Sequence, residues 1–231
     1  SILFSISMSI SFLKYESYCN IVSIRKKDKI MHTLVVIGGF CPSSFPIDRS
    51  FYDTIIAADS GYDNAIGLSL VPDIVVGDFD STLYPDRLVG MGFERSPRDK
   101  DESDTELALR LVDGGYDLLG GGEGRLDHTL SILSLFDKYS YPRYWFTRAD
   151  TMISIEGTRV FSPQVSTELS LFSISGSTVT TQGLFWDIDN KRLDRSFLSL
   201  SNRTKDKTIS IKGDGMLFLR IDPKDFRFFS D

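Results

Sequence analysis

Four aspartates stand where they could hold a hard cation. Asp78 and Asp80 lie in Val75-Val76-Gly77-Asp78-Phe79-Asp80-Ser81, Asp59 in Asp59-Ser60-Gly61, and Asp104 in Lys100-Asp101-Glu102-Ser103-Asp104-Thr105-Glu106. Carboxylate oxygens suit Mg²⁺ or Ca²⁺. In an extended segment residues i and i+2 project to one side, so Asp78 and Asp80 are expected to reach one ion. Taken alone, a D-x-D is equally a solvated turn. A second stretch changes the weighting. Gly120-Gly121-Gly122-Glu123-Gly124-Arg125 runs into Asp127-His128, and a glycine-rich loop that opens a helix exposes backbone N–H groups at a positive helix terminus, where phosphates bind. Arg125 adds a fork of donors for phosphate oxygens. No Gly-Lys-Ser/Thr follows the glycines, so this is not a Walker A loop.

The elements around these residues read as an α/β unit. Residues 33–37, 54–58 and 73–76 are short apolar runs expected to be buried parallel strands. Two of them end in acids, which places Asp59 and Asp78 at the carboxyl edge where open α/β sheets bind ligands. Ser103 with Glu106 predicts a capping box, and Leu107, Ala108, Leu111 and Val112 continue a helix. Asp104 then sits in a first turn that favours an ionised carboxylate. A strand at 117–119 and a helix from Asp127 to about Lys138 follow. Beyond Asp150 the texture changes to short alternating segments at 151–155, 159–161, 168–174, 178–181, 195–200, 208–211 and 216–221, which predict an antiparallel sandwich or barrel. Lys212-Gly213-Asp214-Gly215 is a hairpin signal. Trp186, in Gly183-Leu184-Phe185-Trp186, is by its type more often a core residue than a binding platform.

Composition narrows the classes. The chain has 231 residues and a formal net charge of −6, with no basic stripe interleaved with aromatics, which argues against nucleic acid as a partner. Cys19 and Cys41 have no metal-ligand spacing and suggest no disulfide framework, in keeping with the cytoplasm. Residues 1–13 alternate serine with apolar residues and are too short and polar to span a membrane. They lack the basic flank of a secretory signal. Residues 1–30 are expected to be an extension outside the functional protein, which would begin at Met31. Residues 31–150 would then form an α/β catalytic domain and 151–231 a β domain.

In this order the stretches resemble the thiamine pyrophosphokinase family over residues 34 to 221. The family's acid-glycine turn is similar to Asp59-Ser60-Gly61, its G-D-F-D-S is intact at 77–81, and its K-D-x-T-D-x-E-x-A-L is similar to residues 100–109. Its G-G-R-x-D-H is similar to 123–128, and its late G-L-x-W and S-x-S-N elements to 183–186 and 199–202. Ser60, Ser103 and Glu123 depart from the usual residues, and Glu123 puts a carboxylate into the phosphate-side loop. The resemblance implies a Rossmann-like parallel α/β domain followed by an antiparallel β-sandwich or barrel, and a homodimer with thiamine near the subunit interface. It implies transfer of pyrophosphate from ATP to thiamine. Asp78, Asp80 and Asp104 would hold Mg²⁺, with Asp59 beside them as a fourth catalytic acid. Lys100, Gly121, Gly124 and Arg125 would serve ATP, and Asp127, His128, Trp186, Ser199 and Ser201 would serve thiamine. A pyrophosphokinase for another hydroxymethyl substrate, such as a pterin, or a non-catalytic Mg-nucleotide or thiamine-binding module are the alternatives.

Overall fold

A computed structural model describes residues 31–80, 82–83, the backbone of 93–95, and 102–230. Residues 1–30, Ser81 and Lys100, which carry expectations above, lie outside the described residues.

The chain begins with β1 (His32–Val36), β2 (Thr54–Ala58), α1 (Gly61–Gly67), β3 (Ile74–Gly77) and β4 (Phe93–Arg95). It continues through α2 (Asp104–Arg110), β5 (Gly115–Leu119), α3 (Leu126–Lys138) and β6 (Tyr144–Phe146). These six strands are parallel, in the order β6-β5-β1-β2-β3-β4. The apolar runs form strands because both sheet faces are covered. Leu34 and Val36 of β1 pack with Ile55, Phe51, Tyr52 and Ala65 of α1 on one side. Val35, with Ile37 just beyond it, packs with Ile56, Ala108 and Leu109 of α2, and Ile132, Leu135 and Phe136 of α3 on the other. Strands buried on both faces read as continuous apolar runs. Strand order reverses direction between β5 and β1, which is the point where such sheets open a crevice.

At residue 150 the pairing changes hand while the sheet continues. β7 (Thr151–Ile155) pairs antiparallel with β6, and the same sheet extends through β14 (Leu217–Ile221) and β9 (Glu168–Phe172) to β12 (Ser199–Arg203). A second sheet of β8 (Thr158–Phe161), β13 (Ile209–Gly213), β10 (Ser177–Gln182) and β11 (Lys191–Leu193) faces it. Alternate residues fill the space between: Ile153, Ile155, Leu169, Leu171, Leu217 and Leu219 from the large sheet, Phe161, Val179, Ile209 and Ile211 from the small one. The architecture is α/β with a β-sandwich at its carboxyl end, as expected. Among the described residues no helix is long and apolar enough to cross a membrane.

Local readings needed correction in four places. β6, an aromatic run of three, is too short to carry a period and was not anticipated. The strand expected at 195–200 is broken, because the Asp194 carboxylate accepts from Ser196 N at 2.8 Å and folds the chain into a turn between β11 and β12. Residues 212–215 do not close a hairpin: β13 and β14 belong to different sheets, and Asp214 anchors the crossing by accepting from Thr178 N at 2.6 Å. The capping box is half made. Ser103 Oγ accepts from Glu106 N at 3.2 Å, but the Glu106 carboxylate is taken by Tyr139 and Lys138 instead of reaching back to the cap.

Candidate active site

The carboxyl ends of β1, β2 and β5, together with the starts of α2 and α3, wall a cleft of about 740 Å³. Asp59, Asp104, Gly121, Gly124, Arg125, Asp127 and His128 all line it.

The acids are brought together by strained backbone. Asp59 follows β2 with φ 46°, and its N–H donates to Val76 O at 2.8 Å, so it is pinned beside the end of β3. β3 stops at Gly77, and Phe79 adopts φ 63°. The D-x-D is therefore a turn, not the extended segment expected from the spacing. Asp78 Oδ1 accepts from Asp80 N at 3.2 Å and closes that turn. The departing chain is held to α1, where Asp63 accepts from Thr82 Oγ1 and Leu83 N, each at 2.8 Å. Left-handed backbone at residues other than glycine costs free energy and collects at functional sites. The result is that Asp59, Asp78 and Asp80 each offer a ligand atom within 4.8 Å of the others. Asp104 lies next to them: a Cβ on Gly77, whose φ is 135°, would sit 3.2 Å from Asp104 Oδ1 and 3.2 Å from Asp59 Cβ. Any side chain there would be strained by its backbone and crowd both acids. Carboxylate oxygens from three residues fit a hard cation such as Mg²⁺ and no soft metal.

Across the cleft, Gly120, Gly121 and Gly122 have φ of 95°, 67° and 77°. A Cβ on Gly121 would fall 2.8 Å from Ile37 and 3.0 Å from Ile132 side-chain carbons, so the loop lies flat against β1 and α3. It leads to the N-terminus of α3, where Arg125 holds the cap position with no side-chain capping bond. Arg125 instead donates to Asp127 at 3.1 and 2.5 Å. Hydrogen bonding from Arg125 holds the Asp127 carboxyl below the usual carboxylate range. Both side chains are exposed, and such pairs exchange at little cost.

Glu123 lines the cleft, but its carboxylate is committed to the turn after β6, where Arg148 Nη2 and Ala149 N donate to it at 2.8 and 2.9 Å. That accounts for a carboxylate in this loop. Trp186, Ser199 and Ser201 lie on the sandwich and do not line the cleft of their own chain. Trp186 is 65% exposed, against the expectation that its type favours the core. Its backbone is fixed by buried Asn202, which accepts from Trp186 N at 3.3 Å and donates to Trp186 O at 2.7 Å. Sequence reasoning missed Phe40 and Asn64. Asn64 Nδ2 donates to Ile37 O and Gly39 O at 2.8 and 3.2 Å, fixing the loop after β1. A lone Asn in a short helix gives no sequence signal of that kind.

Fold and cleft together define a class: a doubly wound α/β protein with an acidic, glycine-lined crevice at its switch point and a sandwich built onto the same sheet. Residues 50–144, from just before β2 to the start of β6, match the family model described as thiamin pyrophosphokinase, catalytic domain. Over that stretch the chain is similar to the thiamin pyrophosphokinase family. Solved structures share its fold. A thiamin pyrophosphokinase family protein from Enterococcus faecalis is 21% identical, with a TM-score of 0.64 over 83% of this chain and 98% of that one. Thiamin pyrophosphokinase from Geobacillus thermodenitrificans is 22% identical, with a TM-score of 0.64 over 83% and 97%. Yeast thiamin pyrophosphokinase is 15% identical, with a TM-score of 0.62 over 88% and 90%. No curated protein matches the sequence.

Proposed function

We propose that the chain is a thiamine pyrophosphokinase, which transfers the terminal pyrophosphate of ATP to the hydroxyethyl oxygen of thiamine and releases AMP. One observation carries this reading: Asp59 lines the same crevice as Asp104 and the glycine loop before α3, and its carboxylate lies within 4.8 Å of ligand atoms of Asp78 and Asp80. The family likeness and the fold support it. Asp78 and Asp80, with Asp59 and Asp104 beside them, would hold Mg²⁺, which when bound would offset the charge of a triphosphate. The chain's own groups do the positioning on which phosphoryl transfer chiefly depends. The N–H groups at the α3 terminus receive phosphate oxygens, and Arg125 turns from Asp127 to join them. Lys100 would serve the same phosphates. An aspartate of the cluster accepts the proton of the attacking alcohol. His128 and the released Asp127 face the alcohol side.

Trp186, Ser199 and Ser201 project from the sandwich, and we assign them to thiamine bound between two copies of the chain in a homodimer. Exposed Phe185 and Leu200 beside Trp186 support an interface there. The composition suits a cytoplasmic enzyme.

The test is to incubate the protein with thiamine, ATP and Mg²⁺, with and without EDTA, and to follow AMP and thiamine pyrophosphate together. Equimolar, metal-dependent formation of both is expected. ATP binding without either product would reject the thiamine reaction.

A further inference from the structure

We propose that Phe40 is the nucleobase platform of the cleft, held in place by Arg148 and Glu123. The proposal rests on the reading of the cleft as an ATP site and extends it to the part of the nucleotide that the acids and glycines do not explain.

Phe40 directly follows Gly38-Gly39 at the end of β1, lines the cleft, and remains 44% exposed. Phe51, Phe136 and Phe146 are all buried, so the fold has room for aromatic rings in its core and leaves this one out. The ring is nevertheless fixed. The Arg148 guanidinium covers it at 4.0 Å from the centroid. A Cβ on Gly124 would meet its edge at 3.3 Å, so the residue type at 124 admits the ring into the loop. Arg148 is itself fixed by Glu123, which also accepts from Ala149 N. Loops after β1, β5 and β6 are thereby tied around one phenyl ring, and what remains open of that ring borders the crevice.

A flat, apolar, immobilised ring beside an anion-binding loop is suited to stack a base whose phosphates lie in that loop. Stacking reads only the π-face, and Phe40 has no polar atom to tell one base from another. The site should therefore accept other nucleoside triphosphates with affinities close to that of ATP. Thiamine is also aromatic but carries positive charge, and a ring already covered by a guanidinium is a poorer partner for a second cation. The neutral base is the better occupant.

The experiment measures, by titration calorimetry on the full chain with Mg²⁺, the Kd of ATP, of tripolyphosphate, which has no base, and of thiamine. Wild type is compared with Phe40→Ala, Phe40→Trp and Arg148→Met. Phe40→Ala should weaken ATP at least about tenfold, in line with what base–aromatic stacking is worth, and tripolyphosphate by less than about twofold. Retained tripolyphosphate binding shows that the variant is folded. Phe40→Trp should restore ATP affinity, and Arg148→Met should lose affinity for ATP alone and by less than Phe40→Ala. Equal losses for ATP and tripolyphosphate, no loss for ATP, or a loss confined to thiamine would each overturn the platform while leaving the ATP site standing. Failure of wild type to bind either polyphosphate would overturn the platform and the ATP reading together.

Discussion

Asp117, midway along β5, and the acids at the carboxyl ends of β2 and β3 stand on parallel strands of one sheet, yet their surroundings are opposite. Asp117 is 1% exposed and its carboxylate is saturated with donors: Arg143 at 2.6 and 3.1 Å, Tyr52 Oη at 2.6 Å and Tyr144 N at 3.2 Å. Burial, and then the charge of Asp117, push the Tyr52 phenol well above its usual range, so it stays a donor. Asp59, Asp78 and Asp80 converge on one another instead. One carboxylate closes a fold; the others are the ones proposed above to hold a cation. The contrast predicts opposite mutational signatures. Asp117→Ala leaves the buried Tyr52 hydroxyl and the partly exposed Arg143 guanidinium without their acceptor, and the loss of one partner in such a cluster costs roughly 2 kcal/mol or more. Urea denaturation measures it; a loss below about 1 kcal/mol would erase the distinction drawn between the two regions.

The acid cluster should respond the other way. Asp80→Asn is expected to slow turnover at least about tenfold, or ~1.4 kcal/mol in the barrier. Stability in metal-free buffer should be unchanged or slightly higher, because one of several like charges is removed. Turnover and denaturation midpoint on the same preparation check both halves. Near-normal turnover would refute a role for Asp80 in the reaction, and a loss of stability matching that of Asp117→Ala would make the cluster structural.

The same contrast explains what could be read from the sequence. Strands β1, β2 and β3 were legible because burial on both faces leaves an unbroken apolar run, and Asp104 was legible because Ser103 announces a helix start. The acids could be named, but not the way they meet. Left-handed backbone at Asp59 and Phe79 has no signature in residue type, since most such positions carry glycine. Asp117 read only as a member of a strand, because its partners Tyr52 and Arg143 come from distant parts of the chain. Glu123 looked out of place for the same reason: its partner Arg148 lies 25 residues on. Trp186 misled in the opposite sense, since its type favours burial while Asn202, buried beneath it, holds it at the surface.

Glu106 sharpens the comparison at its weakest point, because it is a fold-closing acid only two residues from Asp104. It is 8% exposed and accepts from Tyr139 Oη at 2.8 Å and from Lys138, so it ties α2, which carries Asp104, to the end of α3. The hydrogen bonds from Lys138 and then Tyr139 lower its pKa in the folded chain below the ordinary value of 4.5. A carboxyl with a lowered folded pKa stabilises the fold fully above its unfolded value, and that contribution is lost as the pH falls through the folded one. Stability should therefore decline below about pH 4.5, and Glu106→Gln should flatten that part of the profile, with the smallest effect of the substitutions considered. Thermal melts of both proteins between pH 6 and pH 3 measure the difference, on the order of a few tenths to 1 kcal/mol for a partly exposed pair. If the variant instead keeps the acid slope and loses Mg²⁺-dependent turnover at neutral pH, Glu106 acts on Asp104, and the line between closing acids and receiving acids runs through α2 rather than between it and the cluster.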